Sequence, residues 1–116
     1  DAELTFGAGE DLTIYHSGSH SFIKDGGTGN LQMWTNQLSL LNSGGTESMI
    51  QAVENSSVDI YYNNSKKFES SPTGVVVTGV ATASDYYIGV GGTSVHTALG
   101  TKASTGKAIA MAMIFG

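Results

Sequence analysis

The side chains best suited to hold a metal ion in this 116-residue chain are three histidines, His16, His20 and His96. His16 and His20 stand four residues apart in a segment rich in Ser and Gly, so both would lie across the turn of one hairpin. Zinc sites often add Cys ligands, and the chain contains no Cys. A second copy of the same segment has Tyr62 and Lys66 at these positions. We therefore expect ordinary hairpin histidines, no metal site and no cofactor.

No pattern typical of an active site occurs in the sequence. The ten acidic residues are scattered, and no spacing among them points to two carboxylates facing each other across a groove, as glycoside hydrolysis requires. A Gly-x-Ser-x-Gly elbow is absent, and the glycine-rich segment 89–94 lacks the Lys-Ser/Thr ending of a phosphate-binding loop. We expect the chain not to be an enzyme.

Aromatic side chains offer a binding chemistry of a different kind, because they stack on sugar rings. Trp34, Tyr86 and Tyr87 are the candidates for contact with a host surface glycan. Aromatic residues are also common on strands, where a neighbouring subunit can cover them. We favour that second interpretation and keep glycan binding as the alternative.

Charge and hydropathy exclude two further classes of partner. The net charge of −5 argues against nucleic-acid binding, which needs basic surface to neutralise phosphate. The longest apolar run, 108–115, is far too short to span a bilayer, so we expect no membrane insertion. The first residue is Asp1 rather than Met, from which we expect a processed product or a fragment.

The elements that would position these side chains are short strands. Apolar and polar residues alternate with period two in five segments, which are 12–15, 31–34, 38–40, 58–61 and 75–78. Gly, Asn and Ser separate them at intervals of about ten residues, the spacing of all-β folds. Segment 46–55 has apolar residues at helical spacing after a capping Thr, but it is short, and we assign it to a strand. The sequence predicts an all-β fold.

An internal repeat organises these strands. Residues 12–22 align with residues 58–68 at a constant offset of 46 (58 minus 12), and Ile, Tyr, Ser and Phe coincide. Each copy has the pattern of a strand, a turn and a second strand, so each predicts a β-hairpin. A hairpin cannot bury its own face, and two copies therefore predict stacking along an axis. Large residues on both strand faces, such as Ile60 beside Tyr61, favour cover by a neighbouring subunit.

Three segments resemble repeats of tail-fibre and other virion structural proteins of phages, especially marine ones: DLTIYHSGSHSFIKDGGTGNLQM, MIQAVENSSVDIYYNNSKKFESS and PTGVVVTGVATAS. The similarity covers roughly residues 12–84. It implies an elongated, trimeric β-prism or β-helix-like module in the virion, which spaces or presents host-contacting parts. Its expected partners are further copies of itself and other virion proteins. A glycan-binding fibre tip is the alternative, and a depolymerase fragment is a third possibility.

The repeat region 1–84 is followed by a C-terminal β segment, 85–116, with a strand predicted at 107–115. Alanines alternate there with large apolar residues, and a lone chain would expose the run as an aggregation-prone edge. We therefore predict that this strand packs between subunits. The residues expected at this assembly interface are Ile109, Met111, Met113, Ile114 and Phe115.

Overall fold

The computed structural model describes residues 2–89, 91–97, 99, 100, 106, 109 and 113. Within them it contains eight strands: β1 (Glu3–Phe6), β2 (Leu12–His16), β3 (Ser21–Asp25), β4 (Gln37–Leu41), β5 (Ser48–Val53), β6 (Val58–Tyr62), β7 (Ser65–Ser71) and β8 (Gly74–Val77). They form two antiparallel sheets, one of three strands and one of five. The prediction of a mostly β fold is confirmed.

The chain divides into two compact units, Asp1–Val58 and Asp59–Gly116, which we call the first and the second unit. The division at 84/85 expected from the repeat stays a prediction.

The first unit begins with the sheet β1-β2-β3, in which β2 is central. Four residues, 17–20, join β2 to β3, and the Ser17 amide donates to the His20 carbonyl (2.9 Å) to close the loop. Directly opposite residues of an antiparallel pair share a face. Leu4, Ile14 and Ile23 therefore form one apolar row across all three strands. Phe6 and Leu12 continue the same face, which we call the apolar face of the first unit.

The opposite face of this sheet is polar at its edges and aromatic at one point. Glu3 and Lys24 lie on it, at the positions that pair with Tyr15 and Thr13. Tyr15 and Phe22 are directly opposite, and their rings stack with centroids 4.7 Å apart. The first sheet thus separates its aliphatic residues from Glu3 and Lys24, whereas Asp25 pairs with Leu12 and lies on the apolar face.

The strand pair β4-β5 completes the ladders of the first unit. Leu38 pairs with Ala52 and Leu40 with Ile50, so these four residues share one face. The connecting loop is closed by the Asn42 side chain, whose Oδ1 accepts hydrogen bonds from the Thr46 and Glu47 amides (2.8 and 3.1 Å). This loop delivers the chain into β5 within segment 46–55, where the sequence analysis assigns a strand.

The second unit contains β7 and β8 and most of β6. Asn63 and Asn64 form a two-residue turn with φ of 47° and 61°, the left-handed geometry that a type I′ hairpin turn requires. Asn is among the few non-glycine residues that adopt this region readily. The β6-β7 ladder shifts register between Ile60 and Tyr61, which leaves Lys67 as an extra residue in β7.

That bulge changes the geometry of the second hairpin relative to the first. Phe22 lies opposite Tyr15, whereas the aligned Phe68 lies opposite Ile60. The loop of the second hairpin is two residues shorter than that of the first, and a difference of two residues leaves each side chain on the same face. The single bulged residue in β7 then moves every later side chain of β7, including Phe68, to the opposite face. The two copies of the repeat are both hairpins, but their phenylalanines turn to different faces.

No hydrophobic side chain is buried anywhere in the part of the chain that the structure describes. Among the described residues, the three that are buried, Thr13, Asp59 and Ser94, are all polar. Thr13 and Asp59 occupy the same position of the repeat, in the middle of the first strand of each hairpin, where neighbouring strands cover a side chain most. Across the described ranges, the positions with most burial are therefore polar, and the apolar side chains of the strands stay at least partly exposed.

Candidate functional site

The predicted assembly interface at 107–115 falls mostly outside the described residues, including Met111, Ile114 and Phe115. Ile109 and Met113 are described, and both have helical backbone geometry and exposed side chains, where the alternation predicts a strand. Alanine has the highest intrinsic helix propensity. The alternating alanines that indicate a small strand face therefore favour a helix equally well.

Trp34 is the most accessible of the predicted glycan contacts. It lies in the irregular segment between β3 and β4, and its side chain is 91% exposed. The indole Nε1–H donates to Gln32 Oε1 (2.8 Å), which fixes one edge of the ring and leaves its faces accessible. A single ring held in this way can stack on one sugar ring.

Tyr86 and Tyr87, the other predicted contacts, lie in the second unit in a turn organised by a carboxylate. Asp85 Oδ1 accepts hydrogen bonds from the amides of Tyr86 (2.9 Å) and His96 (3.4 Å). A hydrogen bond from the Ser94 hydroxyl, followed by these two amides, lowers the pKa of Asp85 below its ordinary value of 3.8. The turn therefore presents two adjacent exposed tyrosines on a hydrogen-bonded frame.

Ser94 links this turn to the short helical segment that follows it. Its Oγ accepts a hydrogen bond from the Thr97 amide (3.1 Å), the contact of an N-cap residue with the third residue of a helix. Residues 95–97 are helical. Tyr87 forms an isolated antiparallel bridge with Ser94, so the same residue fixes both the helix start and the tyrosine turn.

The histidines of the first hairpin each contact a neighbouring serine. His16 Nδ1 lies 3.1 Å from Ser21 Oγ, and His20 Nδ1 lies 2.8 Å from Ser19 Oγ. Within the described ranges, no three side chains of His, Asp or Glu are grouped so that they could hold a metal ion.

The best-defined polar cluster is one that the sequence analysis does not single out. In the second unit, Lys66 Nζ lies 2.9 Å from Asp59 Oδ2 and 3.4 Å from Glu69 Oε2. The Tyr61 hydroxyl donates to the same Asp59 oxygen (3.5 Å). The hydrogen bond to Asp59 is the largest cause that holds the pKa of Lys66 above its ordinary value of 10.5. We call this side of the sheet the ionic face of the second unit.

The bulge at Lys67 creates this cluster. Residues three apart on a regular strand point to opposite faces, so Lys66 and Glu69 would be separated. One extra residue restores them to the same side, opposite Tyr61 and Asp59 respectively. In the sequence, the adjacent Asn63 and Asn64 indicate a two-residue hairpin turn, which sets the pairing of Tyr62 with Ser65 but not the position of the bulge.

The other side of the same sheet carries no charged residue among its paired positions, and its polar ones are Ser70 and, next to the turn, the pair Tyr62 and Ser65. Ile60, Phe68 and Val77 form a row across three strands, and Val75 lies two residues from Val77. We call these four residues the apolar face of the second unit. Ile60, Val75 and Val77 are exposed and Phe68 is half-buried. Each hairpin sheet thus has one mainly apolar face, and no described hydrophobic side chain on either face is buried.

Comparison with family models, curated proteins and solved structures found no match. In the part of the chain that is described, no helix has the length and apolar character needed to cross a membrane.

Proposed function

We propose that the chain is a structural module that becomes stable by assembling with copies of itself, as a trimer in a phage tail fibre or another virion appendage. There it would space or present the parts that contact the host. One observation carries the proposal: two sheets are formed, yet none of the described hydrophobic side chains is buried.

The exposed surface gives this observation a magnitude. The chain exposes 9636 Å² for a mass of 12.0 kDa. A compact monomer of this mass exposes roughly 6,000 Å², and two separate compact bodies of half the mass expose roughly 7,200 Å² together. The excess is therefore about 2,400 Å² or more, whichever reference is used. A standard interface covers roughly 800 Å² of each partner, so the excess matches the area that an obligate oligomer buries.

The free energy of folding also favours assembly. Ordering a residue costs about 1.5 kcal/mol in conformational entropy, and burial of apolar surface is the main term that offsets it. A lone chain with no buried apolar side chain among its described residues lacks that offset. Contacts between subunits would supply it.

The virion setting rests on a different basis, the resemblance of residues 12–84 to repeats of phage tail-fibre proteins. The repeated hairpins suit a fibre, because each copy leaves an apolar face that a neighbour must cover. A β-prism or β-helix-like arrangement along an axis is the form in which three such chains would meet.

Light scattering coupled to size-exclusion chromatography tests the assembly. We expect a particle of three times 12.0 kDa, with circular dichroism dominated by β-structure. Dilution should dissociate and unfold the chain in one step, since folding and association are the same process in an obligate oligomer. A folded monomer at every concentration would contradict the proposal.

A second candidate function, glycan binding at a fibre tip, is favoured by the hydrogen-bonded turn that presents Tyr86 and Tyr87. A glycan array with the wild type and the Tyr87→Ala variant tests it. Binding that is lost in Tyr87→Ala, while the particle mass stays the same, would support a receptor-binding role. Binding that both proteins share would place the sugar elsewhere.

A further inference from the structure

The two faces of the second-unit sheet differ in what they require from a partner. On the ionic face, the Lys66 ammonium lies between two carboxylates of its own chain, at 2.9 and 3.4 Å. Asp59 is buried there by its own neighbours. The charges of this face therefore contact one another within one chain, with one carboxylate in excess over the single ammonium. The apolar face has the opposite character, because its aliphatic side chains are exposed and carry no charge.

The first unit repeats this contrast. The row formed by Leu4, Ile14 and Ile23 is exposed, and Glu3 and Lys24 lie on the other side of the sheet. Asp25, which pairs with Leu12, lies at the end of the apolar face. Apart from Asp25, the same division of faces therefore occurs in both units.

We infer that the apolar face of each unit lies against the apolar faces of neighbouring copies of this chain, and that the ionic face of the second unit points outward. This inference rests on the proposed self-assembly and adds which surface performs it. The occupant is a second copy for two reasons, one of charge and one of area.

The net charge of the chain favours contact through the apolar faces. Each chain carries a net charge of −5, so copies repel one another, and contact is least unfavourable through a surface without charges. Self-contact through the ionic face would bring the Asp59, Lys66 and Glu69 clusters of different chains together and would remove them from water, at a desolvation cost. Contact through the apolar face of the second unit brings no like charges together and gains hydrophobic burial. Among the paired positions of the first unit's apolar face, the one carboxylate is Asp25, at the end of that face.

The excess exposed area of the chain favours a second copy as the partner. The excess of about 2,400 Å² or more over compact bodies is larger than one small partner or peptide covers. A further copy supplies an apolar face at each place where this chain has one. In a closed ring of identical subunits, the face nearest the symmetry axis also meets its own equivalent.

The adjacent residues Val75 and Val76 provide a matched test, because they have the same side chain and lie on opposite faces of β8. Val75 shares the apolar face, and Val76 pairs with Glu69 on the ionic face. The wild type contains no Cys, so a single substitution introduces the only thiol. Any cross-link formed by a short bis-maleimide must then join two chains.

We expect Val75→Cys to cross-link roughly tenfold more than Val76→Cys, because thiols on the inner face lie close together in the assembly and outward thiols do not. Loss of assembly in Val75→Cys alone would support the inference as well, since that substitution would then act at the interface. Equal cross-linking, more cross-linking by Val76→Cys, or loss of assembly in Val76→Cys alone would overturn it.

The first unit allows the test to be repeated with Ile23→Cys and Lys24→Cys, neighbours on opposite faces of β3. Light scattering of the wild type separates this inference from the proposed function. A monomeric wild type refutes self-assembly itself. An assembled wild type whose outward thiols cross-link preferentially refutes only the choice of face.

Discussion

Replacing Val75 by Thr changes a methyl group to a hydroxyl with almost no change in volume, so its effect reports whether the apolar face of the second unit is covered. Val76→Thr is the control, on the next residue and the other face. In the chain by itself, Val75 is 62% exposed and Val76 is 49% exposed. A monomer should therefore tolerate Val75→Thr slightly better than Val76→Thr.

Assembly through the apolar face reverses this order. One buried methyl group contributes about 0.8 kcal/mol, and a buried hydroxyl without a partner costs roughly 1–3 kcal/mol more. Val75→Thr should then destabilise the assembly by roughly 2.5 kcal/mol per chain, whereas Val76→Thr, which stays about half exposed, should cost about 1 kcal/mol.

Thermal unfolding measures the difference. At about 4 °C per kcal/mol, the melting temperature should fall by about 10 °C for Val75→Thr and by about 4 °C for Val76→Thr. All three proteins must be compared at one concentration, because the melting temperature of an oligomer depends on concentration. Equal shifts, or a larger shift for Val76→Thr, would refute the reasoning that this face is buried between subunits.

Three further predictions concern other parts of the chain. Asn63→Ala should destabilise the second hairpin by roughly 1–2 kcal/mol, because Asn63 has a φ of 47°, which alanine adopts at a cost. Asn63→Gly should not destabilise it, and urea titration of both variants measures the difference in the free energy of unfolding. The pKa of Asp85 is lowered, so the stability that its carboxylate gives to the tyrosine turn is present above the ordinary pKa of 3.8 and is lost as pH falls through the lower folded pKa. The amide chemical shifts of Tyr86 and His96 should therefore titrate with a midpoint below pH 3.8. A midpoint above pH 3.8 would contradict these hydrogen bonds. Deleting 108–116 should give monomers or aggregates by light scattering, and a soluble trimer with unchanged melting temperature would show that this run is dispensable.

The sequence by itself determined the type and the approximate position of the strands. Period-two alternation places Leu12 and Ile14 on one side of a strand, and Asn63-Asn64 predicts a tight turn, because these are local preferences of side chain and backbone. The repeat at constant offset indicated two hairpins for the same local reason. Local preference was ambiguous in the C-terminal run, where Ile109 and Met113 are helical although the alternation predicts a strand.

Only the tertiary structure decided which side chains share a face in the second hairpin and how little of the apolar surface is covered. The ionic cluster of Lys66 and Glu69 and the pairing of Phe68 with Ile60 both depend on one bulged residue. A shift of one residue reverses every side chain beyond it, and the sequence pattern alone does not fix where such a shift occurs. The exposure of both apolar faces has a similar origin. Alternation marks a face as apolar, but what packs against that face is set by contacts between residues distant in sequence or on other chains.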